Sequence, residues 1–154
     1  VLVTGQGTAA VAGQSLAAML EALTPDLPVR VEAVVATELS GFELAEDMAD
    51  TLVIAISQSG TTTDTNRTVD LLRARGAAVI GIVNRRASDL VDKADGILYT
   101  SDGRDVEMSV ASTKARNAID WCGISLAIRH GRRATTIPSV TKTRHWASIL
   151  APTR

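Results

Sequence analysis

Residues 51–76 read TLVIAISQSGTTTDTNRTVDLLRARG, and this stretch decides the fold. It opens on Thr51–Ile56, almost continuously apolar and bounded by polar residues, the pattern of a strand buried on both faces. It closes on Thr62–Arg75, predicted as a helix with Val69, Leu71 and Leu72 apolar. Gly76 then occupies the position that glycine favours just past a helix end. Between them lies Ser57-Gln58-Ser59-Gly60-Thr61-Thr62, a short polar loop. A buried strand that turns through a few residues into a helix is the repeating unit of a parallel α/β sheet.

Working outward, the alternation repeats on both sides. Upstream, Val1–Thr4 reads as a short buried strand ending in Gly5. A helix follows, with Val11, Leu16, Met19, Leu20 and Leu23 on one face, and Pro25 and Pro28 break it. Val29–Val35 is the second strand, and Glu38–Asp47 carries a helical pattern interrupted by Gly41. Downstream, Ala78–Val83 is a fourth strand, Asp89–Ala94 a short helix and Gly96–Thr100 a fifth strand. Five such strands predict an α/β fold, a five-stranded parallel doubly wound sheet of flavodoxin-like order 2-1-3-4-5. Ligands of such sheets bind outside the carboxyl ends of the strands, where the chain reverses direction. The loops leaving the first and third strands, Gly5–Thr8 and Ser57–Thr62, are therefore the ones that matter.

Composition narrows the class. The chain has 154 residues, 45% hydrophobic and 21% charged, with only 3% aromatic, so Ala, Val, Ile and Leu must build its core. Its longest apolar runs, Leu52–Ile56 and Val79–Val83, are too short to span a bilayer, and neither a membrane role nor a secretory leader is expected. A single cysteine, Cys122, excludes an internal disulfide, fits a reducing, cytoplasmic setting and is expected to be a buried structural thiol. The histidines, His130 and His145, lack neighbouring ligands at metal-site spacing, so no metal is expected; no cofactor is expected either. Ser57 lacks a nucleophile-elbow pattern, which argues against a Ser–His–Asp triad.

The Ser57–Thr62 loop has the chemistry of an anion cradle. A phosphate needs many donors in a concave arrangement, and a helix entrance supplies free N–H groups and partial positive charge. Ser57, Ser59 and Thr62 add hydroxyls, and Gly60 is expected to admit close backbone approach. Each hydrogen bond to a charged group contributes about 1.5–3 kcal/mol, so three or four could hold a phosphate without lysine. The plainer reading is that these hydroxyls cap the helix. Gly5-Gln6-Gly7-Thr8 opens the first helix similarly. With Ala10 in place of a third glycine and Glu32 as the acidic residue of the second strand, a nucleotide-binding Rossmann-like domain is a competitor. A third polar group, Glu107 with Val110-Ala111-Ser112-Thr113-Lys114, reads by pattern as a capped helix that could also face the crevice.

Together the three motifs resemble the sugar isomerase (SIS) domain, most closely the first SIS domain of the glutamine:fructose-6-phosphate aminotransferase (glucosamine-6-phosphate synthase) family. The likeness rests on Gly7-Thr8, on Ser57-Gln58-Ser59-Gly60-x-Thr62-x-Asp64-Thr65 and on Glu107-x-x-Val110-Ala111-Ser112-Thr113-Lys114-Ala115. It covers about residues 1–115. The resemblance implies that Ser57, Gln58, Ser59 and Thr62 hold a sugar phosphate beside Thr8, and that Val110 and Ser112 line the sugar chain. It also implies aminotransferase/isomerase chemistry in amino-sugar synthesis and pairing with a second SIS domain or a homodimer. Nucleic-acid binding would have to rest on the basic tail alone, so no nucleic-acid partner is expected. Ala9 stands where the family commonly has serine, and Thr61 where it commonly has glutamate, so a changed substrate is compatible with the motifs. The family's proton-shuttling residues belong largely to a second SIS domain and its ammonia to another domain. No catalytic residue is assigned here, Glu107 included. A non-catalytic phosphosugar-sensing module is the alternative.

Residues 116–154 differ in kind. Residues 1–114 carry 9 Lys+Arg against 16 Asp+Glu, whereas 115–154 carry 7 against 1 and hold both Trp, both His and Cys122. The family pattern continues as a long apolar helix after Lys114-Ala115. Arg116–Arg154 instead reads as an atypical basic tail, with Arg132-Arg133, Trp146 and two prolines, that a truncation or reading-frame shift would produce.

Overall fold

The computed structural model describes residues 1–100. Nine elements alternate along them: β1 (Leu2–Gly5), α1 (Thr8–Leu23), β2 (Glu32–Val35), α2 (Ala36–Phe42), β3 (Leu52–Ser57), α3 (Thr63–Ala74), β4 (Ala78–Val83), α4 (Asp89–Lys93) and β5 (Gly96–Tyr99). The strands form one all-parallel sheet in the order β2-β1-β3-β4-β5, as the sequence predicts. β3 and β4 are central, and every residue in both is buried. That is why they read as unbroken apolar runs.

Helices cover both faces. Ala12, Leu16 and Leu20 of α1 pack on Val3, Ile54, Ile56 and Ile82. On the other face, Leu39, Val69, Leu72 and Leu90 from α2, α3 and α4 pack on Val53, Ala55, Val79 and Val83. α3 ends as expected at Gly76, whose φ is 90°. The Gly76 N–H donates to Arg73 O and the Ala77 N–H to Leu72 O, the paired bonds of a Schellman termination.

Three sequence expectations need correction. The apolar set on α1 is only partly its buried face: Leu16 and Leu20 are buried as expected, but Val11 and Leu23 are 45% and 46% exposed, and Ala12, Gly13 and Ala17 are buried in their stead. A Cβ on Gly13 would sit 3.3 Å from Val3 Cγ1. The helix thus approaches β1 closely through small residues, and size outranks hydrophobicity. β2 begins at Glu32 rather than Val29, because its ladder to β1 has only the partners Leu2–Gly5 to pair with. α2 runs over Ala36–Phe42 instead of Glu38–Asp47. Its start lies against the Thr68 hydroxyl, whose one proton is shared between Ala36 O at 2.8 Å and Asp64 O at 2.7 Å, and the chain beyond it is drawn to α3, where the Met48 N–H donates to Arg75 O.

The edge strand β5 is fastened by Asp95. Its Oδ2 accepts the Val79 N–H and its Oδ1 accepts Arg73 Nη1, both at 2.8 Å. The arginine pair is exposed and contributes little, so most of the effect lies in the backbone bond. Asp95→Ala is expected to lower unfolding stability by about 1–2 kcal/mol in urea titrations. A loss no greater than that of Arg73→Ala would show that the Val79 bond is immaterial.

Candidate functional site

Parallel pairing brings the two nominated loops to the same edge of the sheet. Gly5 pairs with Ile56 and Ser57 with Val83, so Gly5–Thr8 and Ser57–Thr62 leave adjacent strands at their carboxyl ends. β1 and β3 are also where strand order reverses, which opens the crevice of a doubly wound sheet. Gly5 lets the first loop close on β3: a Cβ there would lie 2.9 Å from Ile56 O and 3.1 Å from Ala9. Gly7, with φ 60°, turns the chain into α1, where Thr8 is the first helical residue.

The Ser57–Thr62 loop is held by hydrogen bonds that its sequence does not advertise. The Gly60 N–H donates to Ser57 Oγ at 3.0 Å. Gly60 O accepts both the Leu90 N–H at 3.1 Å and Asn66 Nδ2 at 3.0 Å. Gln58 O accepts the Asn84 N–H at 3.1 Å. Asn66 also reaches Thr62 O at 3.1 Å, so this buried amide clasps both ends of the turn. Gly60 is buried with φ 67°, and the space a Cβ would need is filled by Ser88. Gly60 therefore anchors the loop to the β4–α4 segment instead of admitting a ligand, which corrects the sequence expectation. Asn66, Asn84 and Ser88 were not singled out from sequence. The polar residues Thr65, Asn66 and Thr68 on the inner face of α3 were the available signal.

Counting hydroxyl protons shows what remains for a ligand. Ser57 Oγ lies 3.2 Å from Thr62 Oγ1 and either can donate, so the pair retains one proton. Ser57 is 2% exposed and Thr62 half-buried, which places the reachable proton at Thr62. Ser59 Oγ accepts from both the N–H and the hydroxyl of Thr61, leaving its own proton uncommitted among the described residues. Thr62, the N-cap of α3, makes no side-chain capping bond, and among the described residues the plain capping reading is not what the hydroxyls do. The first-turn amides have no intrahelical partner by construction and point at the loop. Asp64 in that turn is an exposed carboxylate that offsets part of the helix's positive end.

The nucleotide competitor loses its acidic residue. Glu32 is the first residue of β2, opposite Leu2 at the far end of the sheet from the crevice, and it pairs with Arg30 at 2.9 Å. Among the described residues no cluster of three or more His, Cys, Asp or Glu could hold a metal, and no helix is long and apolar enough to cross a membrane. Val110, Ser112, Glu107, Lys114, Cys122, His130, His145 and the basic tail lie outside the described residues.

An open doubly wound α/β domain with a hydroxyl-lined loop at its switch point is the class that fold and site define. The SIS domain family model matches residues 1–119, and the chain belongs to that family. Its relatives include a glutamine--fructose-6-phosphate aminotransferase [isomerizing] of Pyrobaculum aerophilum, 40% identical over 114 residues that make up 74% of this chain and 18% of that protein. The same-named protein of Corynebacterium efficiens is 41% identical over 117 residues, 75% of this chain and 18% of the relative. The chain thus spans about a fifth of these relatives' length. Among solved structures, the C-terminal domain of glucosamine-fructose-6-phosphate aminotransferase from Francisella tularensis superposes with TM-score 0.69 at 26% identity, covering 97% of this chain and 40% of that one. Glucosamine-6-phosphate deaminase from Thermotoga maritima shares the fold, with TM-score 0.71 at 21% identity over 96% of this chain and 42% of that one.

Proposed function

We propose that this chain binds a phosphosugar of the fructose 6-phosphate type as one half-site of a glutamine:fructose-6-phosphate aminotransferase/isomerase. The observation that carries this reading is the pair of uncommitted hydroxyl protons, at Ser59 and Thr62, beside the uncapped amides of α3. Ser57, Gln58, Ser59 and Thr62 hold the phosphate, Thr8 flanks it from the β1 loop, and Val110 and Ser112 line the carbon chain. The names of the aminotransferase relatives support the substrate class. Residues 1–115 form the binding domain and 116–154 a separate basic tail. Pairing with a second SIS domain, or a homodimer, supplies the rest of the catalytic apparatus, and the setting is cytoplasmic.

Calorimetric titration with fructose 6-phosphate, fructose and NAD tests the reading. Binding is expected for fructose 6-phosphate alone. Ser59→Ala is expected to weaken it about tenfold, the loss of one hydrogen bond to a charged group, with the thermal midpoint unchanged. Equal affinity for unphosphorylated fructose would refute the phosphate assignment. Turnover with glutamine or ammonia is expected to be nil for this chain alone.

A further inference from the structure

Charge in this domain is polarised along the strands. Residues 1–114 are acidic overall, with 9 Lys+Arg against 16 Asp+Glu, so the average field repels an anion. The two edges of the sheet do not share that charge equally. Around the amino ends of the strands, segments 24–31 and 43–51 hold five exposed carboxylates, from Asp26 to Asp50, against Arg30. The shorter turns there add one charge of each sign. At the carboxyl edge, the loops 6–7, 58–62 and 84–88 contain two charged residues, Arg85 and Arg86. The nearest carboxylates along the chain, Asp64 and Asp89, belong to the first turns of α3 and α4. Arg86 is engaged, with its Cζ 4.6 Å from the centroid of the Tyr99 ring at the end of β5. Arg85 is exposed, and its guanidinium makes no hydrogen bond or ion pair among the described residues. Backbone contacts fix its place beside the cradle. On one side the Asn84 N–H donates to Gln58 O at 3.1 Å. On the other, Ser88 donates to Arg85 O at 3.2 Å and fills the space against Gly60.

Resting on the phosphosugar reading, we propose that Arg85 is a specificity-determining residue whose charge draws the doubly ionised phosphate to the carboxyl edge of the sheet. The hydroxyls and amides of the 57–62 loop are neutral donors that act at contact. Arg85 supplies the attraction that works before contact and offsets the acidic body of the domain. Such a field does not require the guanidinium to touch the ligand. It reaches as far as salt allows, about 30 Å at 0.01 M ionic strength and about 3 Å at 1 M.

The test is calorimetry of the full 154-residue chain with fructose 6-phosphate and with inorganic phosphate, at the two ionic strengths. The solution is held at about pH 8, where the phosphate is doubly ionised. Arg85→Gln is expected to weaken both ligands about threefold at 0.01 M, the screened attraction of one cation for a dianion about 10 Å away in water. At 1 M the loss is expected to shrink below about 1.5-fold. Arg85→Lys keeps the charge and is expected to keep wild-type affinity at both ionic strengths. Arg30→Gln removes a cation at the opposite edge and is expected to change affinity by less than about 1.5-fold. Arg85→Ala takes the place of the glutamine variant where that one lacks the wild-type thermal transition. A loss that persists at 1 M, an equal loss in Arg85→Lys or Arg30→Gln, or no loss at 0.01 M overturns the assignment of Arg85 and leaves the phosphate site standing. Failure of the wild-type chain to bind either ligand overturns the phosphosugar reading itself, and Arg85's role with it.

Discussion

Gly60→Ala is expected to destabilise the chain by about 2–5 kcal/mol and to abolish fructose 6-phosphate binding. Two costs combine. At φ 67° an L-residue carries a left-handed backbone penalty of about 1–2 kcal/mol. The new methyl group would also lie 2.6 Å from Ser88 Cβ, and overpacking of that kind costs about 1–3 kcal/mol. Rotating the serine hydroxyl away relieves only part of the clash, because χ1 rotation does not move Cβ. The chain itself has to shift, and it shifts where the Gly60 carbonyl takes the Leu90 N–H and the Asn66 amide. Displacing that carbonyl opens the turn carrying Ser59 and Thr62. Urea denaturation and calorimetry read the two effects. Gly60→Ala/Ser88→Gly separates the costs, since it removes the clash and keeps the backbone penalty. It is expected to recover about half the lost stability. A single variant within 0.5 kcal/mol of wild type, measured against the minimum of about 2 kcal/mol from these costs, would mean that the turn is not held as described.

The Gly60–Ser88 contact also shows where reading the sequence stops. β3 and β4 are legible because burial on both faces leaves no polar alternation, so the expected Thr51–Ile56 falls one residue from the observed Leu52–Ser57 and the expected Ala78–Val83 matches. α3 is legible from its glycine stop. The face of α1 is not, because a hydrophobicity pattern weights Val11 and Leu23 above Ala12 and Gly13. Close approach of the helix to Val3 selects the small residues. Glu32 illustrates the same limit at the site. Its position in the chain suits a nucleotide's ribose, but the four-residue ladder of β1 and β2 sets it at the wrong end of the sheet. The hydroxyl cluster at 57–62 is visible as composition. Which of its protons remain for a ligand depends on contacts with Asn66, Asn84 and Ser88, which local pattern does not specify.

Ser57→Ala is expected to have the second largest effect, and it separates building the cradle from lining it. The resemblance makes Ser57 a phosphate contact, yet its oxygen is already used: it accepts the Gly60 N–H in a buried setting and pairs with Thr62 Oγ1. Removing it leaves a buried amide without a partner, at a cost of about 1–3 kcal/mol, and frees the Thr62 hydroxyl to rotate. Stability and fructose 6-phosphate affinity are expected to fall together. Ser59→Ala removes a half-buried hydroxyl whose only described partners are the N–H and hydroxyl of exposed Thr61, so affinity alone should fall. Hydrogen exchange at the Gly60 amide gives the local readout. It is expected to accelerate in Ser57→Ala beyond the change in global stability and to stay at the wild-type rate in Ser59→Ala. If Ser57→Ala instead loses affinity with Gly60 exchange and urea stability unchanged, Ser57 acts purely as a ligand contact. The turn would then be held by Asn66, Asn84 and Leu90.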